Sequence, residues 1–194
     1  MIEVPEHGDI QFLFRPSVQP VEADHYVLGV QSLFAILSPA GRSIHRRLRI
    51  GKNRMPATPR DRFWVRIERV GSLQRVLGDM LEADRYSTKT RGERYQPAAR
   101  PIARGTYAFV QHGDHVHLDY RVEPLPFEDA PEEIRLAEAA SHLVLFENTA
   151  GTRATWTQHG SINQLDAEGA ELVLVGSCRQ SAENLDDAGE PDTS

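Results

Sequence analysis

Short runs in which apolar and polar residues alternate recur along most of this chain. In the run 63–69, Phe63, Val65 and Ile67 take one set of alternate positions, and Trp64 and Arg66 take the other. A period of two places alternate side chains on opposite faces of a β-strand. Eight runs read as strands: 10–14, 30–37, 43–50, 63–69, 107–111, 116–122, 141–147 and 170–175. The pattern therefore predicts a chain that folds mainly as β-sheet.

Two segments depart from this period and are expected to be helical. Apolar residues recur at helical spacing from Ser72, a plausible N-cap, to Asp84. A short acidic helix is expected over 131–139. The stretch 87–104 is poor in apolar residues and contains Pro and Gly, which predicts a long loop.

The predicted fold is α+β, mainly an antiparallel β-sheet with two short helices, and the sheet could be barrel-like or strongly curved. A chain of 194 residues suits one compact domain. We place a single α+β domain at 1–178 and a disordered acidic tail at 179–194, where Asp, Glu, Pro and Gly leave almost no apolar anchor.

The first residues lack the basic and apolar regions of a secretory signal, and no run has the length of a membrane span. The single cysteine, Cys178, can form no intramolecular disulfide. We therefore expect a cytoplasmic protein that has no membrane partner.

Charge is segregated along the chain. The stretch 42–104 holds 17 of the 22 Lys and Arg residues but only 6 of the 28 Asp and Glu residues, although the whole chain carries −6. Arginine binds phosphate and carboxylate in bidentate fashion. The stretch thus predicts an anionic partner, which is either a ligand or the protein's own acidic surface. The candidate ligand-binding residues are Lys52, Arg54, Lys89, Arg91, Arg94 and Arg100.

Histidines cluster beside a predicted hairpin turn at Gly113 and Asp114. If these two residues form the turn, position 112 pairs with 115 and position 110 with 117. One face then carries His112, His115, His117 and Asp119 beside Ala108 and Val110. The opposite face carries the apolar residues Tyr107, Phe109, Val116, Leu118 and Tyr120.

This polar face has three open interpretations. His112, His115 and His117 could bind a divalent transition metal, with Asp119 as a further ligand or as an orienting group. They could instead act as catalytic acids or bases, or as anion ligands, without metal. The third interpretation is an exposed surface without chemistry.

Most catalytic fingerprints are absent from the sequence. The run from Ile50 to Asn53 resembles the end of a P-loop but lacks its first glycine and its Ser or Thr. The motifs of dinucleotide enzymes, helical zinc peptidases and α/β-hydrolases are also missing. Trp64 and Trp156 could stack on a base, but a place in the core is favoured for both. For Arg46, Arg47 and Arg49, a solvated strand face is favoured over phosphate contact.

Several short motifs resemble those of an uncharacterised group of prokaryotic conserved hypothetical proteins with no assigned activity. They are 50–56 (IGKNRMP), 89–94 (KTRGER), 98–101 (AARP), 112–118 (HGDHVHL) and 168–176 (EGAELVLVG). The resemblance extends from Gly8 to Gly176 and implies a cytoplasmic, single-domain protein. It implies no reaction.

Two functions follow as hypotheses. The favoured one is a binding protein for a phosphorylated or otherwise anionic ligand, held by the Arg-rich strands and loop. The alternative is a small hydrolytic or metal-dependent enzyme that uses the histidine face. An anionic small molecule is favoured over nucleic acid because the chain is acidic overall, with a pI of about 5.7.

Overall fold

The computed structural model describes residues 2–20, 29–126, 130–148 and 155–176. Twelve strands lie in this part of the chain: β1 (Ile2–Pro16), β2 (Gln19–Pro20), β3 (Val30–Pro39), β4 (His45–Ile50), β5 (Arg62–Gly71), β6 (Asp84–Thr88), β7 (Gly92–Gln96), β8 (Arg100–His112), β9 (His115–Pro124), β10 (Ala139–Asn148), β11 (Thr155–Thr157) and β12 (Glu171–Val175). One helix, α1, spans Leu73–Leu77. Three 3-10 turns span Gly51–Asn53, Glu132–Ile134 and Ile162–Asp166.

Eight of the strands close into an antiparallel barrel. The order around it is β10-β12-β5-β4-β3-β1-β8-β9, and pairing between β9 and β10 closes the ring. β11 pairs with the outer end of β10, while β2, β7 and β6 form a separate small sheet. The predicted mainly antiparallel sheet is confirmed, and it takes the barrel-like form.

The barrel interior is filled with side chains. Alternate residues of every barrel strand enter one apolar cluster, including Phe12, Tyr107, Phe109, Tyr120 and Phe146. Phe12 meets Tyr120 edge to face at 5.2 Å between ring centroids. An eight-stranded barrel is narrow enough for side chains alone to fill it. The centre of the molecule is therefore a packed core.

A smaller apolar cluster lies outside the barrel wall beneath α1. In it, outward residues of β1 and β3 pack against Val76, which lies in α1, and Met80, which follows α1. Ser72 caps α1, since its side chain accepts a hydrogen bond from the Arg75 amide. This confirms the predicted N-cap.

The helix predicted from Ser72 to Asp84 is much shorter in the structure. The Val76 carbonyl accepts a hydrogen bond from Arg47, and the Met80 amide donates to Leu77 in place of Val76. The four-residue hydrogen-bond ladder of an α-helix stops there. The helical spacing of the buried residues Val76 and Met80 therefore comes from one helical turn followed by a tight turn.

The helix predicted over 131–139 is also wrong. Only Glu132–Ile134 form a 3-10 turn, and Arg135 ends it by taking a left-handed conformation with φ 55°. Strand β10 begins at Ala139. The described part of the chain thus contains a single α-helix where two were predicted.

The long loop predicted over 87–104 is in fact a hairpin followed by the start of β8. β6 and β7 pair from Asp84 with Gln96 to Thr88 with Gly92. Thr88 accepts a hydrogen bond from the Arg91 amide, and Gly92 has a φ of 66°, which favours glycine. Side chains along β6 are almost all exposed, so no apolar alternation marks the hairpin in the sequence.

The eight strand-like runs all correspond to strands of the barrel, and Pro16 ends β1 as expected. Cys178 and the predicted tail at 179–194 lie outside the described residues. None of the helical segments described has the length and apolar character that crossing a membrane would need.

Candidate functional site

Several arginines of the cationic stretch bind the protein's own carboxylates. Arg46 points into one end of the barrel and is fully buried. It donates to Glu6 at 2.6 and 2.9 Å and to Asp166 at 2.6 and 2.8 Å. Tyr107 donates to Glu6 at 2.8 Å, and Arg42 reaches Asp166 at 2.7 Å. This network closes the barrel end and leaves Arg46 unable to reach a ligand.

Arg47 is also bound by groups of the protein itself, on the outer wall of the barrel. Its guanidinium donates to Asp79 at 2.6 Å and to the Val76 carbonyl at 3.0 Å. Its Nε lies 3.2 Å from Glu68. Arg47 therefore ties the region of α1 to the barrel, and the solvated strand face predicted for Arg46 and Arg47 is wrong because both are buried.

The six predicted ligand-binding residues come from three segments of the fold. Lys52 and Arg54 lie in and after the 3-10 turn between β4 and β5, and Arg54 stacks over the Phe63 ring at 5.4 Å. Lys89, Arg91 and Arg94 lie on the small sheet or its turn. Arg100 begins β8. These segments all adjoin the barrel end at which β1 ends and β3 and β8 begin, since Asn53 donates to the Val30 carbonyl and Gln96 donates to the Pro16 carbonyl.

They also lie apart from the histidines. Arg100 and His112 are the two ends of the same 13-residue strand. At about 3.3 Å per residue, the two ends are roughly 40 Å apart along the strand. A single concavity shared by Arg100 and the three histidines is thus excluded.

A different basic surface is present on the outer face of β4 and β5. Arg62, Trp64 and Arg66 alternate with buried Phe63 and Val65 and point outward. Arg49 on β4 is paired with Arg66 and is also exposed. We refer to Arg49, Arg62, Trp64 and Arg66 as the Arg–Trp surface.

Trp64 is 65% exposed, so the predicted core position is wrong for this residue. It lies on the wall strand β5 at an outward position, because its neighbours Phe63 and Val65 point inward. Trp156 is half-buried, and its ring centroid lies 6.4 Å from that of Trp64. The two indoles cover the outer wall where β5, β12 and β10 run side by side.

The charges of the Arg–Trp surface are incompletely matched. No carboxylate of the described residues forms an ion pair with Arg62 or Arg66, and Arg49 reaches only Glu68 at 3.5 Å. Beside them opens a shallow groove of about 550 Å³, lined by Arg47, Arg49, Arg66 and Arg69 together with Glu68, Asp79 and Glu168. A cationic surface beside an exposed aromatic ring can hold an anion and a planar group at once.

The histidine hairpin has the predicted register. Val110 pairs with His117 and His112 pairs with His115. The predicted apolar face is buried in the barrel, which confirms the assignment of the two faces. Ala108, Val110 and Asp119 on the other face are buried as well, whereas the three histidines keep partial exposure.

The three histidine rings are mutual neighbours. Their centroids are 5.8 Å apart for His112 and His115, 5.2 Å for His112 and His117, and 5.1 Å for His115 and His117. Burial, with His112 and His115 nearby, lowers the pKa of His117 to about 4. His117 is therefore neutral at pH 7.

Hydrogen bonds occupy one nitrogen on each of two rings. Nδ1 of His117 lies 2.9 Å from the Ser141 hydroxyl, and Nδ1 of His115 lies 2.9 Å from the Asp114 carboxylate. Asp119 is fully buried, and neither of its carboxylate oxygens has a hydrogen-bond partner of good geometry. Burial raises the pKa of Asp119, and Ser141 and His112 offset only part of that. As they stand, no three His, Cys, Asp or Glu side chains in the described ranges are arranged to hold a metal ion.

A buried pair of polar side chains that the sequence analysis missed lies inside the barrel. His142 pairs across the strands with Leu118, and its ring lies 5.8 Å from that of Tyr120. Neither ring nitrogen of His142 nor the Tyr120 hydroxyl has a hydrogen-bond partner of good geometry. Burial lowers the pKa of His142 to about 4, although the Val175 backbone opposes this. The alternation along β10 could have indicated this position. It places His142 on the same face as Val144 and Phe146, opposite Ser141, Leu143 and Leu145.

Comparison of the chain with protein-family models, with curated proteins and with solved structures finds no match in any of the three.

Proposed function

We propose that this protein binds a nucleotide-like ligand, meaning a phosphate joined to a planar ring, on the Arg–Trp surface. The carrying observation is that Trp64 is 65% exposed between two outward arginines of the same strand. An indole of this size is usually covered, so a large exposed aromatic is informative. This proposal keeps the predicted class of anionic ligand and moves its site from the predicted residues to β4 and β5.

The two halves of such a ligand match the chemistry of the surface. A planar ring stacks on an exposed indole, and stacking of a base on an aromatic side chain contributes about 1–3 kcal/mol. Arg66 and Arg62 lie at alternate positions on either side of Trp64, within reach of a phosphate attached to the stacked ring. Their guanidinium groups offer the fork of donors that phosphate accepts.

A small ligand fits the charge of the protein better than a long polyanion. The chain carries −6 overall, and Glu68, Asp79 and Glu168 line the groove beside the arginines. These carboxylates repel phosphates that extend beyond the first contact. We therefore expect a mononucleotide to bind in preference to an extended nucleic acid.

The test is a fluorescence titration with AMP, ATP and a short single-stranded oligonucleotide at low and high salt. Binding should quench the emission of Trp64 and weaken as salt rises. Reversing the charge with Arg66→Glu should weaken binding at least about tenfold, as expected for the loss of a charged hydrogen bond. Arg91→Glu is the matched control, because it makes the same charge change on an exposed residue of a different sheet.

The outcomes separate the possible sites and ligands. Quenching that survives Arg66→Glu but not Arg91→Glu would return the site to the 89–100 segment and overturn the proposal. Oligonucleotide binding without mononucleotide binding would replace the small ligand with nucleic acid. If no compound changes the emission or the melting temperature, the arginines serve solubility and internal pairing alone.

A further inference from the structure

The three histidine rings on the β8–β9 hairpin are spaced as ligands of one metal ion would be. Three imidazoles bound to one ion at about 2.0–2.1 Å, with tetrahedral angles, have ring centroids roughly 5 Å apart. The observed separations are 5.1, 5.2 and 5.8 Å. The backbone already places the rings at the required distances. The rings of His112 and His115 are stacked with their planes 17° apart, so the ring of His112 must rotate before all three rings can direct a nitrogen at one ion.

The outer nitrogens of two rings are oriented by hydrogen bonds. Because a carboxylate only accepts, Nδ1 of His115 carries the proton toward Asp114, and its Nε2 keeps the lone pair. The Ser141 hydroxyl can accept from Nδ1 of His117 in the same way. Histidines that bind metals commonly donate their other ring N–H to a carboxylate or a similar group.

A buried carboxylate with incomplete compensation lies beside the rings. Asp119 is two positions from His117 on the same face and is completely buried, and Ser141 and His112 offset only part of the effect of burial on its pKa. Burying a carboxylate without full compensation is costly. A cation held by the neighbouring histidines would supply the missing positive charge.

We propose that His112, His115 and His117 bind one divalent transition-metal ion through their Nε2 atoms, with Asp114 and Ser141 as orienting groups. Binding requires the ring of His112 to turn out of its stack with His115, while His115 keeps its bond to Asp114. This is possible because His112 keeps partial exposure beside the open turn at Gly113. Three imidazoles select zinc, cobalt, nickel or copper over calcium and magnesium. Three protein ligands also leave a position open, which a metal-dependent enzyme requires.

The test is isothermal titration of untagged, chelator-treated protein with Zn²⁺, followed by Co²⁺ for its visible absorption. We expect about one equivalent to bind, as in three-histidine sites. His115→Ala combined with His117→Ala should abolish binding. His45→Gln is the matched control, because Nδ1 of His45 also meets a serine hydroxyl, Ser38, at 2.7 Å, but its site is on another strand.

A second variant keeps the metal site testable if the double substitution prevents folding. Asp114→Asn leaves the three ligands in place and should weaken Zn²⁺ affinity about 10- to 100-fold, as the loss of an orienting group does. Circular dichroism should remain unchanged because Asp114 is an exposed turn residue. Stoichiometry well below one equivalent, or affinity unchanged in both variants, would overturn the metal site. This result is independent of nucleotide binding at the Arg–Trp surface.

Discussion

Arg46 is the largest side chain that the fold removes completely from water. Two carboxylates match its charge, and they come from the start of β1 and from the 3-10 turn before β12. Burial opposes ionisation of Asp166, but hydrogen bonds from Arg42 and Arg46 lower the pKa of its carboxyl. Since an unpaired buried charge is costly, the network should be sensitive to the loss of any one member.

Arg46→Ala should therefore lower the free energy of unfolding by about 3–5 kcal/mol. Urea denaturation followed by circular dichroism measures this. Arg49→Ala on the same strand is the control, because Arg49 is half-exposed and its weak ion pair with Glu68 should contribute about 1 kcal/mol or less. Similar losses for both variants would show that burial of Arg46 has no special role in stability.

His142 makes stability depend on pH. Its pKa in the folded protein is about 4, below the ordinary value of 6.5. Between these values the unfolded chain takes up a proton that the folded chain does not, so stability falls as pH falls from about 6.5 to about 4. The full loss from this group is on the order of 3 kcal/mol.

His142→Leu should stabilise the protein by about 1–3 kcal/mol at pH 7, because it removes from the core a polar ring whose nitrogens have no hydrogen bond of good geometry. It should also flatten the decline in stability between pH 6.5 and 4. His117, whose pKa is lowered in the same direction, keeps part of the slope in this variant. The measurement is the urea midpoint of the wild-type protein and of His142→Leu at several pH values. Parallel curves for the two proteins would contradict a role of His142 in the pH dependence of stability.

At the scale of elements, the β6–β7 hairpin differs from the barrel strands. Most side chains of β6 are exposed, and it lies at the edge of a three-stranded sheet. Within the described ranges, which break off after Pro20 and resume at Gly29, β7 forms two pairs with β2, between Gln19 and Tyr95 and between Pro20 and Arg94. By contrast, β8 pairs along its length with both β1 and β9.

Backbone amides of β6 should therefore exchange with deuterium well before those of β8. Local opening requires little free energy where few apolar contacts are lost. Peptide-level exchange followed by mass spectrometry provides the comparison. Equal protection of the two strands would mean that the hairpin unfolds only together with the barrel.

At the scale of the whole molecule, the closed barrel surrounds a single core. Pairing of β9 with β10 closes the ring, so every barrel strand has two neighbours. Both barrel ends are also covered. Arg46 and its carboxylates close one end, and at the other the Met55 amide donates to the Ile134 carbonyl at 2.8 Å.

We expect the protein to unfold in one cooperative step. Phe12→Ala should lower the midpoint of this transition without dividing it into two. Phe12 is 1% exposed and touches Tyr120, so its truncation should cost about 3–5 kcal/mol. Trp64→Ala on the outer wall is the control and should cost far less. Circular dichroism and fluorescence curves that separate in Phe12→Ala would contradict a single cooperative core.

The hairpin from 107 to 122 shows what the sequence determined by itself. Opposite directions of successive side chains are a local property of a strand, and the turn at Gly113 and Asp114 fixes which residues pair. Both faces and the register were therefore predictable before the fold was known. Turn residues and proline similarly placed the end of β1.

Tertiary structure alone decided which charges meet and which face of a strand is covered. Arg46 finds Glu6 and Asp166 across 40 and 120 positions of sequence, a pairing that no local pattern encodes. The period of two in β5 separates Trp64 from Phe63 and Val65, but only closure of the barrel sets which group is inside. The 87–96 segment lacks an apolar period because its strands are stabilised by backbone pairing with neighbours. Local sterics fix direction and register along a strand, whereas burial and ion pairing depend on chain segments that only the closed fold brings together.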